Sequence, residues 1–176
     1  MLNLRRGVLL CLLIAGTAGC DRVTKHFAVT ALAGTPRQSF LADTVRLQYH
    51  ENPGAFLATG ARWPPPARVA MFQFGNTFFL AFAGFLAARY RWSRVARYGL
   101  LLFLAGGLSN LADRIAIGSV IDFMNVGIGP IRTGIFNVAD VAIMAGVGMV
   151  LWEVLRLEVM RTGFKAPAAP AARPAK

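Results

Sequence analysis

The stretch YGLLLFLAGGLSNLADRIAI, residues 98–117, decides how this chain folds. From Gly99 to Leu108 it carries no polar side chain, and then Ser109, Asn110, Asp113 and Arg114 follow in quick succession. Crossing roughly 30 Å of hydrocarbon takes about 20 helical residues, which is the length of this run. It predicts a transmembrane helix that is apolar through its body and polar at one end. Three further runs have the same character, at about 7–20, 69–88 and 136–157.

The composition agrees. Of 176 residues, 56% are hydrophobic and only 15% charged, where a soluble domain carries about a quarter charged. The mean hydropathy of +0.51 points the same way. A net charge of +11 would suit nucleic acid in a polar chain, but this one is too apolar, so no nucleic-acid partner is expected. Two cysteines, Cys11 and Cys20, cannot form a disulfide framework, and two histidines, His26 and His50, are too few for a histidine-based metal centre. The expected fold is mainly α: a polytopic membrane protein with four transmembrane helices, in contact with membrane lipid.

Basic residues orient it. Arg5 and Arg6 precede the first run, Arg89, Arg91, Arg94 and Arg97 link the second to the third, and Arg156, Arg161, Lys165, Arg173 and Lys176 follow the fourth. With four spans all three clusters fall on one side, so both termini are expected in the cytoplasm. Segments 21–67 and 118–135 then face outward. Within the first, Val45-Arg46-Leu47-Gln48-Tyr49 alternates as a half-buried strand does, Asn52-Pro53-Gly54 signals a turn, and Pro64-Pro65-Pro66 stops structure before the second span. A small β element on the outer face is the expectation, with Trp63 at headgroup level. Residues 1–157 form one membrane-embedded domain, and the Ala/Pro-rich end, within 158–176, reads as a disordered cytoplasmic tail. Thr17-Ala18-Gly19-Cys20 after an apolar run also looks like the signal of a bacterial lipoprotein. Since three more spans follow it, residues 7–20 are taken as a retained helix.

Ionisable residues at membrane depth are functional candidates by default. Asp113 and Arg114 lie near the outer end of the third span, Asp122 in the outer loop beyond it, and Asp140 just inside the outer end of the fourth. Asn110 precedes Asp113 by three residues and Asn137 precedes Asp140 by three, which puts each Asn and Asp on one helix face. Gly106, Gly107, Ala142, Gly146 and Gly148 allow those helices to approach closely, a role that bundle packing alone explains. The bland account of the aspartates is ion pairing with Arg114 and Arg132. Against it, a patch used only for packing is more simply built from Ser or Thr.

No nucleophilic serine or cysteine has a partner at this depth. Two carboxylates then leave two options: sharing one proton to activate water, or holding a divalent metal. Metal sites for lipid phosphotransfer show denser runs of Asp, so hydrolysis without metal or other cofactor is favoured. A competing class is a non-enzymatic membrane protein, such as a transporter component with its aspartates in a proton relay. That class predicts acidic residues near the midplane, and the midplane portions of all four runs lack them.

Taken together, the motifs Asp21-Arg22-Val23-Thr24-Lys25, Asn52-Pro53-Gly54-Ala55-Phe56, Gly106 to Arg114, Val120-Ile121-Asp122-Phe123 and Phe136-Asn137-Val138-Ala139-Asp140 resemble, in order and spacing, the lipoprotein signal peptidase (signal peptidase II) family. The resemblance covers about residues 7–157. It implies an aspartic endopeptidase of the bacterial inner membrane that removes signal peptides from prolipoproteins whose cysteine carries diacylglycerol, with its site at the outer, periplasmic face. It further implies that Asp122 and Asp140 are the catalytic pair, a choice that spacing alone does not make between Asp113 and Asp122. Asn52, Gly54, Asn110, Arg114 and Asn137 would line the substrate site, Asp113 would support it, and Asp21 and Lys25 would organise the outer face. Two positions depart from the family pattern. Arg22 stands where Gln is usual, and Phe56 and Leu57 stand where Ala and Phe are usual, which puts the substrate range in question.

Overall fold

The computed structural model describes residues 4–54 and 59–162. Among the described residues, four continuous helical stretches and a four-stranded antiparallel sheet make up the fold. Helix α1 spans Leu4–Phe27 and continues through a π-helical turn, Ala28–Leu32. It therefore runs well past the predicted end at Cys20. The reason is visible in the sequence beyond it: Asp21, Arg22, Thr24 and Lys25 are polar yet helix-compatible, and the charged ones among them find partners on the neighbouring helices.

The second apolar run begins at α2 (Pro65–Arg68), passes through a π-helical turn, Val69–Gly75, and becomes α3 (Asn76–Arg89). Pro65 sits in its first turn, where a missing N–H costs nothing, so the proline run opens the helix as well as ending what precedes it. Helix α4 spans Arg94–Ile117 with Ser93 capping its start, and α5 spans Val138–Thr162. Helix α5 runs past the predicted end near Leu157; residues 163–176, the rest of the expected tail, lie outside the described residues.

Three of these stretches, Pro65–Arg89, Arg94–Ile117 and Val138–Thr162, are long and apolar enough to cross a membrane. Phe74, Phe78, Phe82 and Phe85 recur along one side of the first of them and are all exposed, an apolar face that water does not favour and lipid does. Helices α4 and α5 touch at glycine. A Cβ on Gly99 would lie 2.7 Å from the Gly146 carbonyl, and one on Gly106 or Gly146 would collide with the facing backbone. The expected close approach is there, though Gly107 faces Leu80 of α3 instead and Gly148 faces open space.

The β element is larger than the single predicted strand. Strands β1 (Gln38–Phe40), β2 (Val45–Asn52), β3 (Val120–Ile128) and β4 (Ile131–Arg132) pair in that order. Segment 118–135, read as a loop, supplies two of them. Gly118 makes the junction: it takes φ 77°, donates its N–H to the Arg114 carbonyl at 3.0 Å, and turns the chain from α4 into β3. The sheet packs on the turn after α1, where Ala28, Leu32 and Phe123 are buried together.

Candidate active site

Three elements bring Asp122 and Asp140 together. Asp122 sits on β3, paired in register with His50 of β2. Phe136 bridges to Met124, its N–H donating at 2.8 Å and its carbonyl accepting at 2.9 Å, so the start of α5 is tied to β3. Asn137 is thereby held next to Asp122.

Asn137 and Asp140 cap α5 reciprocally. The Asp140 N–H donates to Asn137 Oδ1 at 2.9 Å, and the Asn137 N–H donates to Asp140 Oδ2 at 3.1 Å. The three-residue spacing read as a shared helix face is thus a capping arrangement at a helix start. The Asp140 carboxylate also lies at the positive end of the helix dipole.

Every oxygen of the two carboxylates accepts a hydrogen bond. Asn137 Nδ2 donates to Asp122 Oδ1 at 2.7 Å and Asn52 Nδ2 to Asp122 Oδ2 at 3.0 Å. Asn110 Nδ2 donates to Asp140 Oδ1 at 2.8 Å, while Asn137 supplies Oδ2. Asn52 is held by the Gly54 N–H at 3.0 Å. A metal bound here would have to displace these amide donors from the carboxylates. Asp122 is buried, and burial first, with the nearby Asp140 charge adding, pushes its carboxyl up to about 6 against the hydrogen bonds from Asn52 and Asn137.

The remaining predicted residues separate into two groups. Arg114 reaches back to the turn after β2, donating to the Gly54 carbonyl at 2.9 Å and to the Asn110 carbonyl at 3.3 Å, with its guanidinium over Phe72. Its buried Nε has no hydrogen-bond partner among the described residues. Asp113 points the other way, to α1. Its partners are Arg22 at 2.5 Å and Lys25 at 2.7 Å, so the pairing with Arg114 on which the bland account rests does not occur. Arg132 pairs with Asp43 and Asn125 rather than with the candidate aspartates. Asp21 accepts from Ser109 Oγ at 2.6 Å and from the Ala139 N–H at 2.8 Å, and pairs with Lys25 at 2.7 Å. Sequence reasoning misses Ser109 and treats Arg22 only as a departure. Ser109 adjoins Asn110 in the polar end of α4, which is the available signal. Phe56 and Leu57 lie outside the described residues.

Asp122 and Asp140 open onto a groove of about 860 Å³ whose walls include Phe79, Leu80, Phe103, Val141 and Met144. Its lining is mostly apolar, and Asn52, Asn110, Asp122 and Asp140 are joined there by the hydrogen bonds given above.

Residues 12–156 match the family described as signal peptidase (SPase) II. A lipoprotein signal peptidase of Desulforapulum autotrophicum is 30% identical over 155 residues, covering 88% of this chain and 96% of that protein. One from Leifsonia xyli subsp. xyli is 34% identical over 145 residues; the match takes in 77% of this chain but only 62% of that longer protein. Among solved structures, a bacterial membrane enzyme determined by the in meso method superposes with a TM-score of 0.75 at 20% identity, over 92% of this chain and 94% of the other, a likeness of fold.

Proposed function

This chain belongs to the signal peptidase II family, and from that premise we propose that it is an aspartic endopeptidase that removes signal peptides from diacylglyceryl-modified prolipoproteins. The observation that carries the reading is the meeting of Asp122 and Asp140 across Asn137 in the wall of a mostly apolar groove. A substrate of this kind is a signal helix with acyl chains at its end, and the groove walls suit both. The acyl chains bury in lipid and hold the scissile bond at the depth of the carboxylates.

In the mechanism the pair shares one proton. The ionised carboxylate takes a proton from water as the water oxygen attacks the scissile carbonyl carbon. The protonated carboxyl then gives its proton to the leaving nitrogen as the C–N bond breaks. Asn52, Asn110 and Asn137 hold the carboxylates, and Arg114, with an Nε left to donate, binds the substrate backbone beside Gly54. Asp21, Lys25 and Asp113 form the polar base on which Asn110 rests.

The direct test incubates the purified protein with a diacylglyceryl-modified prolipoprotein and weighs the products. A cut just before the modified cysteine is expected, and it should survive EDTA; loss on chelation with recovery on magnesium would move the chain to metal-dependent chemistry. The same assay has a pH signature. Because burial holds the Asp122 proton up to about 6, kcat/KM should decline as pH rises through that region and both carboxylates ionise. A kcat/KM rising steadily toward pH 8 would contradict a shared proton.

Helix α1 acts as the fourth span, which sets both termini in the cytoplasm and the carboxylates at the outer face of the inner membrane. Trp63, stacked on Phe72 at 5.8 Å, then lies near the headgroups. Reporter fusions after Arg94 and after Lys176 should read cytoplasm, and those after Gly60 and Gly129 the outer side. An outward C-terminus would mean that the spans are miscounted.

A further inference from the structure

Behind Asn110 lies a second set of charges, buried away from the groove. Asp21 is fully buried, and Lys25 and Asp113 are each only 2% exposed. The Lys25 ammonium donates to Asn110 Oδ1 at 2.9 Å and stands in ion-pair contact with Asp21 Oδ2 and Asp113 Oδ2, each at 2.7 Å. One cation thus serves two buried carboxylates and also fixes which way the Asn110 amide points. With its oxygen committed to Lys25, Asn110 presents Nδ2 to Asp140.

Two carboxylates and one ammonium leave one negative charge uncompensated in a buried place, which is costly. Arg22, half-exposed on the same helix, closes the deficit. It donates to Asp113 Oδ1 at 2.5 Å and to the Ser109 carbonyl at 3.3 Å. With it the cluster holds two positive and two negative charges.

We propose that Arg22 is a positioning residue of the proteolytic site: by holding Asp113 it leaves Lys25 free to be shared with Asn110, and so keeps the Asn110 amide aimed at Asp140. This rests on the peptidase reading above. Without the guanidinium, Asp21 and Asp113 compete for a single ammonium. Lys25 is drawn toward them, its bond to Asn110 slackens, and Asp140 loses a fixed donor. Substrate binding, which occurs on the groove side of Asn110, is left nearly as it was.

Four proteins test this in the prolipoprotein cleavage assay: Arg22→Gln, Arg22→Lys, Asp113→Asn and the double Arg22→Gln/Asp113→Asn. The glutamine is the residue usual at this position in the family. It keeps a hydrogen bond to Asp113 but removes the charge, so a loss would show that the buried cluster of this chain depends on the guanidinium. Arg22→Gln is expected to lower kcat by about tenfold with KM within about twofold, since coupled neighbours interact on that scale. Lysine should restore most of kcat. The double variant is the decisive one, because it returns the cluster to neutrality with one carboxylate and one ammonium. It should turn over faster than Arg22→Gln alone.

If Arg22→Gln keeps wild-type kcat, or if the double variant merely multiplies the two single losses, Arg22 is an ordinary exposed ion-pair partner and the proposal falls. Thermal unfolding of the same proteins in detergent separates this from failure of the peptidase reading. A wild type that leaves prolipoprotein uncut overturns that reading and the positioning role with it. A wild type that cuts, together with additive losses in both kcat and Tm across the cycle, overturns only the role of Arg22.

Discussion

Asp122→Asn and Asp140→Asn are each expected to reduce turnover of a diacylglyceryl-modified prolipoprotein by at least about a thousandfold, the scale seen when one member of a catalytic unit is removed. The amide keeps the size of the carboxyl and cannot take a proton from water. The double variant should be no slower than either single, because groups acting as one unit fail together. Stability should separate the two. At position 122 the new amide must put an N–H₂ toward either Asn137 or Asn52, both of which donate there now. One of those amides can flip only by giving up a bond of its own, to Asp140 or Gly54. At position 140 the substitution also removes a negative charge from the start of α5, worth roughly 0.3–1 kcal/mol. The amide would face Asn110, whose flip Lys25 opposes. Asp140→Asn should therefore unfold at the lower temperature of the two, although both remain folded.

Asp113→Asn serves as the comparison. Asp113 faces α1 and makes no hydrogen bond to Asp122 or Asp140 among the described residues, so its loss should slow cleavage and lower stability yet leave measurable turnover. A time course on purified single variants, with thermal unfolding in parallel, distinguishes the cases. Substantial turnover by Asp122→Asn beside a folded but inactive Asp113→Asn would transfer the catalytic pair to Asp113 and Asp140.

The helices are legible because apolar length is a one-dimensional signal, and among the described residues three of the four predicted runs correspond to helices both long and apolar enough to cross a membrane. The first departs from expectation at its C-terminal end. Hydropathy drops at Asp21, but a helix continues wherever its polar side chains find partners, and those of Asp21, Arg22 and Lys25 reach α4 and α5. Strand β3 is hidden for a related reason. Val120-Ile121-Asp122-Phe123 lacks simple alternation because Asp122 and Phe123 are both buried, one toward the amides of Asn52 and Asn137 and the other against Ala28 and Leu32. Asn137 and Asp140 can be read from sequence as a helix start, since a capping side chain with an acidic partner three residues on is a local pattern. The partner of Asp113 cannot. Sequence adjacency favours Arg114, whereas the actual cations stand at 22 and 25, and only the α1–α4 packing brings them within reach.

Of all these substitutions, removing the shared ammonium should have the largest effect on folding. In Lys25→Met the methylene stem is kept, and three acceptors lose their cation at once: Asp21, Asp113 and Asn110. Asp113 retains Arg22, and Asp21 retains Ser109 and the Ala139 N–H, so the loss is not total. Both carboxylates nonetheless stay buried with one cation between them, and breaking a buried pair by deleting one partner costs about 3–5 kcal/mol. That is a large share of the stability of an ordinary domain. A sharp fall in the yield of folded, detergent-solubilised protein is expected, with a lower Tm for what remains. The folded fraction should also cleave slowly, because Asn110 is no longer held toward Asp140. Adding Asp21→Asn removes one of the competing charges and should recover part of the Tm without recovering full activity. The exposed pair Arg161–Glu158, with its arginine side chain 78% exposed, provides the control. Arg161→Met should change stability by less than about 1 kcal/mol. If Lys25→Met unfolds no earlier than Arg161→Met, the buried cluster is not what joins α1 to α4, and Lys25 does not fix Asn110 either.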